Sequence, residues 1–318
     1  MRCRLGTMSA LHFHPYAPAA ALSVTGEDAG DFLQSQFSMD LRPFEAGLCR
    51  YGLWLDVKGK VTADGFVLCE GPESFRIHST HSPGGELRAK LERHIIADEV
   101  ELEAAVRPAA VCLFGPGAGD ALRELGLDVP EAGRYVRSAG GGAEVFPGRR
   151  STGPGFEIFF DREEAAGAFY ERLGKLPDAV RVSEERVQIE RLRAGYPLVP
   201  VELGPGDLPG EGGLVPSAVS LTKGCFLGQE VVARMHNVGR AQRALFRVVG
   251  SGVPPACPAA LTVEGKAAGS LRSAYPTDDG WLGAALLKLR TVEGAEAIEG
   301  DDFSIRIEER MMSEGRPA

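Results

Sequence analysis

The chain has 318 residues and a formal net charge of −9, with 44% hydrophobic and 25% charged residues. That balance belongs to a globular protein with a substantial core and room for two or three domains of roughly 100–200 residues each. The acidic excess excludes broad, non-specific nucleic-acid binding and leaves room for one local basic site.

No stretch approaches the roughly 20 apolar residues of a membrane helix. The opening MRCRLGTMSALHFHPYAP has no apolar run to make a secretory signal, and Met8 is an alternative start. Cys3, Cys49, Cys69, Cys112, Cys225 and Cys257 are scattered, without a CxxC pair or a Cys/His cluster at zinc spacing. No metal site is expected. The thiols are expected to be reduced, in the cytoplasm, and most to be small buried hydrophobes.

In chain order, the first predicted element is a helix in TGEDAGDFLQSQFS (25–38), with Thr25 as cap and Ala29, Phe32, Leu33 and Gln36 on one face. Residues 51–70 predict two strands joined by a turn at Lys58-Gly59, with Asp56 and Asp64 flanking it. Strands follow at 75–80 and 100–104, with a helix at 84–94 between them. A second set comprises a strand at 109–115, a helix at 120–126, a flexible loop at 139–143, a strand at 155–161, and helices at 162–174 and 183–194. Ser183 caps the last helix, Gly195 ends it and Pro197 forbids its return.

From Pro197 to Pro216, five prolines and five glycines make a long ordered loop or linker. A break at 250–260 precedes short strands that suggest a small barrel, and the tail MMSEGRPA is expected to fray. The histidines are dispersed; His78 and His81, lacking a neighbouring acid in the sequence, are expected at the surface.

Chemistry concentrates in LTKGCFLGQEVVARMHNVGRAQR (221–243). Cys225 would lie at or just before a helix N-terminus, where unpaired N–H groups favour a thiolate, and Lys223 would add to that effect if its ammonium points inward. A second reading is a buried cysteine at a tight turn that needs Gly224 and Gly228 for its backbone. Arg234, Arg240, Arg243 and Arg247 follow with no acid among them. They would either clamp a carboxylate or polyanion or make a solvated face.

KGCFLGQE (223–230) resembles the K-G-C-[FY]-x-G-Q-E signature of the YgfZ family, folate-binding proteins linked to iron–sulfur protein maturation and tRNA thiomodification. That family is related to the aminomethyltransferase, or T-protein, of the glycine cleavage system. VTGEDAGDFLQSQFSMDL (24–41), GLWLDVKGKVTADGFV (52–67) and RLRAGYPLVPVEL (191–203) resemble its other blocks. The resemblance implies an α+β fold: a T-protein-like ring of two α+β layers and a small C-terminal β-barrel around a central tunnel. It implies a folate-binding module over 1–249 and a barrel over 250–318.

It also implies tetrahydrofolate or a one-carbon derivative as the cofactor, with Cys225 and Lys223 acting on it. Gly224, Gly228, Gln229, Glu230, Arg234, Arg193 and the one remaining hairpin acid, Asp64, are its implied binding residues. The arginines would meet the folate's glutamate tail. The T-protein pattern K-x-x-F-x-G-x-E is kept at Lys223, Phe226, Gly228 and Glu230. Its paired hairpin aspartates become Ala63 and Asp64, and the glutamate of its R-L-E-A segment becomes Arg193. A pterin edge presents donors, and arginine offers no acceptor. Standard aminomethyl transfer is therefore not expected.

The expected role is that of a monomeric accessory protein whose partners are folate and iron–sulfur assembly proteins or their client enzymes. A folate-dependent aminomethyl or methyl transferase and a tRNA-binding module are the alternatives.

Overall fold

The computed structural model describes residues 11–105, 109–139, 142–237 and 241–311. Cys3, Met8, Arg240, part of the 139–143 run and the tail from 312 lie outside them. The first half contains β1 (Leu11–Tyr16), β2 (Ala20–Thr25), α1 (Ala29–Gln36), β3 (Cys49–Leu55), β4 (Val61–Gly71), β5 (Ser74–Ser79), α2 (Gly84–Glu92) and β6 (Glu101–Ala104). Next come β7 (Ala109–Phe114), α3 (Ala118–Glu124), β8 (Val136–Arg137), β9 (Ala143–Pro147), β10 (Gly155–Phe160), α4 (Glu163–Leu173), β11 (Ala179–Arg181) and α5 (Glu184–Arg193).

The strands form a five-stranded sheet in the order β3-β4-β5-β2-β6 and a six-stranded sheet in the order β11-β1-β7-β10-β9-β8. Helices α1 and α2 cover one face of the first, burying Phe32, Leu33, Leu87 and Leu91 against Val24 and Phe75. Helices α3 and α4 cover one face of the second with Leu122, Phe169 and Leu173. The two remaining faces meet through Phe66, Leu68, Ala110, Phe146 and Phe159. These are the two expected α+β layers, packed sheet to sheet.

Local signals account for most boundaries. The Ser183 hydroxyl accepts from the Arg186 N–H, and Gly195 takes φ 77° as α5 ends. One cap differs from expectation. Thr25 is the last residue of β2, and α1 begins after Asp28, whose carboxylate accepts from the Glu99 N–H at 2.8 Å. The helix start is held by a loop 71 residues away, which spacing within the helix does not encode.

The interface between the sheets is partly polar. Period-two alternation in β5 sends Phe75 and Ile77 to the helix side and Arg76 and His78 to the other. His78 is 2% exposed, not a surface residue: it packs on Phe146 and Phe159, with Nε2 2.7 Å from Glu144 Oε2. Its acid arrives from another sheet, 66 residues along the chain. Burial alone would raise the Glu144 carboxyl. The hydrogen bond and charge of His78, with Arg76 and Arg137, outweigh it and hold the group at about 2.

Because that carboxyl sits below its ordinary 4.5, its stabilisation is complete above pH 4.5 and lost as pH falls toward 2. The loss should reach about 3 kcal/mol. Urea unfolding across this range should show a steeper acid loss in the native chain than in Glu144→Gln; equal slopes would contradict the assignment.

After α5 the chain passes through an ordered loop containing a 3-10 turn (Pro209–Gly212) and α6 (Val215–Ala218), then α7 (Gln229–Asn237). The rest is β12 (Arg243–Gly250), β13 (Ala259–Val263), β14 (Lys266–Thr277), β15 (Gly280–Lys288), α8 (Leu289–Val292), β16 (Ile298–Glu299) and β17 (Ser304–Arg310). The six strands close in the order β12-β15-β14-β13-β16-β17.

The break at 250–260 falls inside this barrel, after its first strand. β12 pairs with β15 and β17, so the barrel begins at Arg243 rather than at residue 250. Met311, at the start of the tail expected to fray, is 1% exposed and donates its N–H to Leu245 O. Among the described residues no helix is long and apolar enough to cross a membrane.

Candidate functional site

Two separate sequence blocks converge on the cysteine loop. The segment from Ala218 to Leu227 runs beside the C-terminal end of α1. Ser38 Oγ donates to Ala218 O at 2.6 Å, Ser220 N–H to Ser38 O at 2.9 Å, and Leu227 N–H to Ser35 O at 3.0 Å.

Lys223, 7% exposed, directs its ammonium at the carbonyls of Gln34, Phe37 and Met39, at 2.7, 2.7 and 2.9 Å. A helix end leaves carbonyls without intrahelical partners, and its dipole favours a cation there. An ammonium has three donors, and all three are engaged. Burial pulls the group down from 10.5 to about 8, with the Asp40 carboxylate opposing. Lys223 therefore pins the loop to α1, where the sequence suggested an ammonium acting on the neighbouring thiol.

The hairpin turn closes the other side. Asp56 accepts from the N–H groups of Lys58 and Lys60, each at 2.8 Å. Gly228 takes φ 83°, and a Cβ there would fall 2.5 Å from Asp56 O and 2.9 Å from Gly59 Cα. Only glycine lets the two turns approach so closely. Phe226 is buried with Leu53, Leu55, Val61 and Val232.

Buried Lys223 and buried Phe226 thus flank an exposed two-residue tip, Gly224-Cys225. Cys225 is four residues ahead of Gln229, the first residue of α7, so the turn at 227–228 separates the thiol from that helix end. It is not the buried cysteine of a tight turn. Cys49, Cys69 and Cys112 are the buried ones, and Cys257 is exposed. Gln229 donates to Lys223 O at 3.4 Å, Glu230 is exposed in the first turn of α7, and Arg234 is exposed on the side of α7 away from buried Val232.

Among the described residues Arg234, Arg243 and Arg247 do not gather into a clamp. Arg243 pairs with Glu211 at 2.9 Å and Asp207 at 3.1 Å, and Arg247 with Glu308 at 2.9 Å and Glu309 at 3.1 Å. For these two, the acids missing from the local sequence are supplied by distant segments. Arg193 is about half exposed beside the barrel, paired with Glu190 at 3.0 Å, and its carbonyl accepts from Arg247.

Asp64 is buried, and burial raises its carboxyl. It accepts from Tyr51 OH at 2.8 Å, Ser82 Oγ at 2.8 Å and Ser79 Oγ at 3.4 Å. Tyr51 faces a cleft of about 210 Å3, walled also by Met39, Phe66, Arg50, Arg149 and Tyr196. The Arg149 guanidinium lies between the Tyr51 and Tyr196 rings, 4.0 and 4.4 Å from their centroids. Arg149 was not among the residues that spacing singled out. Its only signal is the Arg149-Arg150 pair between Gly148 and Ser151, in the loop before β10.

A pterin edge presents donors that a carboxylate can accept in pairs. Among the described residues the walls of this cleft contain no carboxylate, Asp64 is engaged by three hydroxyls behind Tyr51, and Arg193 lies beside the barrel.

Two sheet-packed α+β layers, a closed barrel and a cysteine loop clasped by the first layer define a T-protein-like architecture. Residues 16–223 match the GCVT N-terminal domain, and the chain belongs to that family. It is 26% identical over 227 residues to the tRNA-modifying protein YgfZ of Colwellia psychrerythraea, covering 71% of this chain and 68% of that one. The YgfZ of Yersinia pestis strain Pestoides F is 25% identical over 289 residues, covering 84% and 82%. The mitochondrial iron-sulfur cluster assembly factor IBA57 of Mus musculus is 39% identical over 112 residues, covering 33% and 30%. The glycine cleavage system aminomethyltransferase T of Bartonella henselae superposes with a TM-score of 0.81 at 19% identity, covering 96% of this chain and 86% of that one, a likeness of fold.

Proposed function

We propose that this protein is a folate-binding accessory factor of iron–sulfur cluster assembly or repair, or of tRNA modification, that works in the cytoplasm through the thiol of Cys225. The observation that carries this reading is the clasp around residues 224–225. Lys223 on one side and Phe226 on the other immobilise the loop while leaving the cysteine exposed. An inert cysteine of this size is ordinarily buried. Holding one at the tip of a rigid loop suits a thiol that must meet a partner or a metal-bearing cargo.

A single thiolate supplies one ligand, where a cluster takes four. Cys225 therefore suits transient contact, with other ligands coming from the partner. The names of the curated relatives, which point to tRNA modification and iron–sulfur cluster assembly, support this reading.

Aminomethyl transfer is disfavoured by the same residues that weigh against it in the sequence. Ala63 packs in the apolar core beside Val67, and Arg193 contributes no acceptor. Against a tRNA-binding surface, Arg243 and Arg247 are already neutralised by acids.

The test is complementation in cells lacking their own factor. A Cys225→Ser chain should fold with stability within about 0.5 kcal/mol of the parent, as expected of an exposed substitution. It should fail to restore the activity of iron–sulfur enzymes. Full rescue by that variant would refute the role of the thiol.

A further inference from the structure

The charges around the exposed Cys225 tip are matched on one side and unmatched on the other. On the α1 side Arg42 pairs with Asp31 at 2.9 Å, and the Asp40 carboxylate lies opposite the Lys223 ammonium. On the other side stand the turn of the β3–β4 hairpin and the C-terminal end of α2. Lys90 joins these two, its Nζ donating to Leu55 O at 2.6 Å. Burial pulls the Lys90 ammonium down, Asp56 opposes, and Arg93 adds to the fall, which places the Arg93 guanidinium beside the hairpin.

Together the turn and the helix end carry Lys58, Lys60, Lys90 and Arg93, and among the described residues none of the four has an ion pair. Acids do not balance them. Asp56 is the one carboxylate of the turn, and its Oδ1 already accepts from the Lys58 and Lys60 N–H groups. Glu92 is paired with Arg88 at 2.7 Å. On α7, exposed Glu230 and Arg234 bring one charge of each sign. The result is a local excess of cations on a chain whose net charge is −9.

Two large aliphatic side chains stand in the same surface. Val57, at the hairpin tip, is 71% exposed, and Ile96 is 91% exposed. Ile96 follows Arg93 by three residues and so lies within about 11 Å of it along the chain. Single exposed aliphatics are ordinary. Here two frame an unbalanced set of cations beside an exposed thiol. The patch adjoins that thiol directly: Gly59 packs on Gly228, and Phe226, next to Cys225, is buried against Leu55 and Val61.

We propose that the hairpin turn and the end of α2 form a docking surface for an acidic protein, steered by the cations, seated on Val57 and Ile96, and brought by them to Cys225. Charge complementarity selects an acidic partner and sets its approach. A nucleic-acid backbone would meet the cations equally well but would leave the two aliphatics in water, so a protein is the better occupant. The surface stands on its own charges. That its partner is an iron–sulfur assembly protein or a client enzyme rests on the reading proposed above.

The test is photo-crosslinking in cells that depend on this chain, with p-benzoylphenylalanine at Val57, at Ile96 or, in the β12–β13 loop, at Val253, which is 87% exposed. Val57 and Ile96 should trap the same acidic protein, identified by mass spectrometry, and Val253 should not. Lys58→Glu combined with Arg93→Glu should lower the yield by about tenfold or more. Exchanging an acid of the trapped segment for lysine should restore it. Both reversed positions are exposed, and Lys58→Gln with Arg93→Gln is the second pair should the first not fold.

Adducts that persist undiminished in the charge-reversed chain overturn the proposal. So do adducts that ribonuclease removes, an equal yield of the same adduct from Val253, or no protein adduct from either site. Cys225→Ser should cross-link like the parent; loss of the adducts there would overturn the surface, since the thiol and not the charges would hold the partner. The same variant separates the two readings. If it cross-links normally and also restores the iron–sulfur enzymes, the thiol reading falls and the surface stands. If the parent gives no adduct while Cys225→Ser still fails in cells, the surface falls and the thiol reading stands.

Discussion

Arg191→Met is expected to destabilise the protein by about 3–5 kcal/mol, the usual cost of removing one partner from a buried ion pair. Arg191 and Glu202 are 3% and 0% exposed and meet through two parallel bonds of 2.7 and 2.9 Å. The pair ties α5 to the long ordered loop, because Glu202 also accepts from the Leu198 N–H at 2.8 Å. It ties both to the barrel, because Ser273 on β14 donates to the same carboxylate. Arg191 adds bonds to Gln188 and to the Tyr196 carbonyl.

Methionine would leave a buried carboxylate without its cation. Urea unfolding of Arg191→Met, Glu202→Gln and the double variant would measure the coupling. The double variant should be less destabilised than the sum of the two singles. Strict additivity would mean that the pair does not act as a unit.

Lys223→Met should be the second largest loss, about 3 kcal/mol, since charge-assisted bonds to three carbonyls disappear together. The effect should be local as well as global. Amide exchange should accelerate in residues 34–39 and 220–228, the two segments that the ammonium joins. The same variant separates two roles for this lysine. If it acts by clasping, function and stability fall together. A Lys223→Met chain that keeps native stability yet fails in cells would make the lysine a chemical participant.

Much of the fold is legible in the sequence because it is written at short range. The buried face of α1, the strands around the Lys58-Gly59 turn, the Ser183 cap and the short strands of the barrel all follow from periodicity and turn chemistry within a few residues. The family was legible too, since KGCFLGQE is a continuous string.

The roles of its members were not. Lys223 reads as a helper for Cys225 when its neighbours in sequence are the only ones known, yet its partners are 184 to 189 residues away. Arg243 and Arg247 look unpaired until Asp207, Glu211, Glu308 and Glu309 come into place. His78 shows no acid nearby until another sheet brings Glu144. Charge pairing has no period and no length limit along the chain.

The sequence alone determined many of the helices and strands, the layered class with its barrel, and the motif that bears the cysteine. Tertiary structure decided which charges are free to act. Folding engages Lys223, Asp64, Arg243 and Arg247 with partners from elsewhere, and it leaves Cys225 exposed and, among the described residues, Arg149 without a carboxylate. The physical reason is that a charge's availability depends on every group the fold packs around it, and those groups come from all parts of the chain.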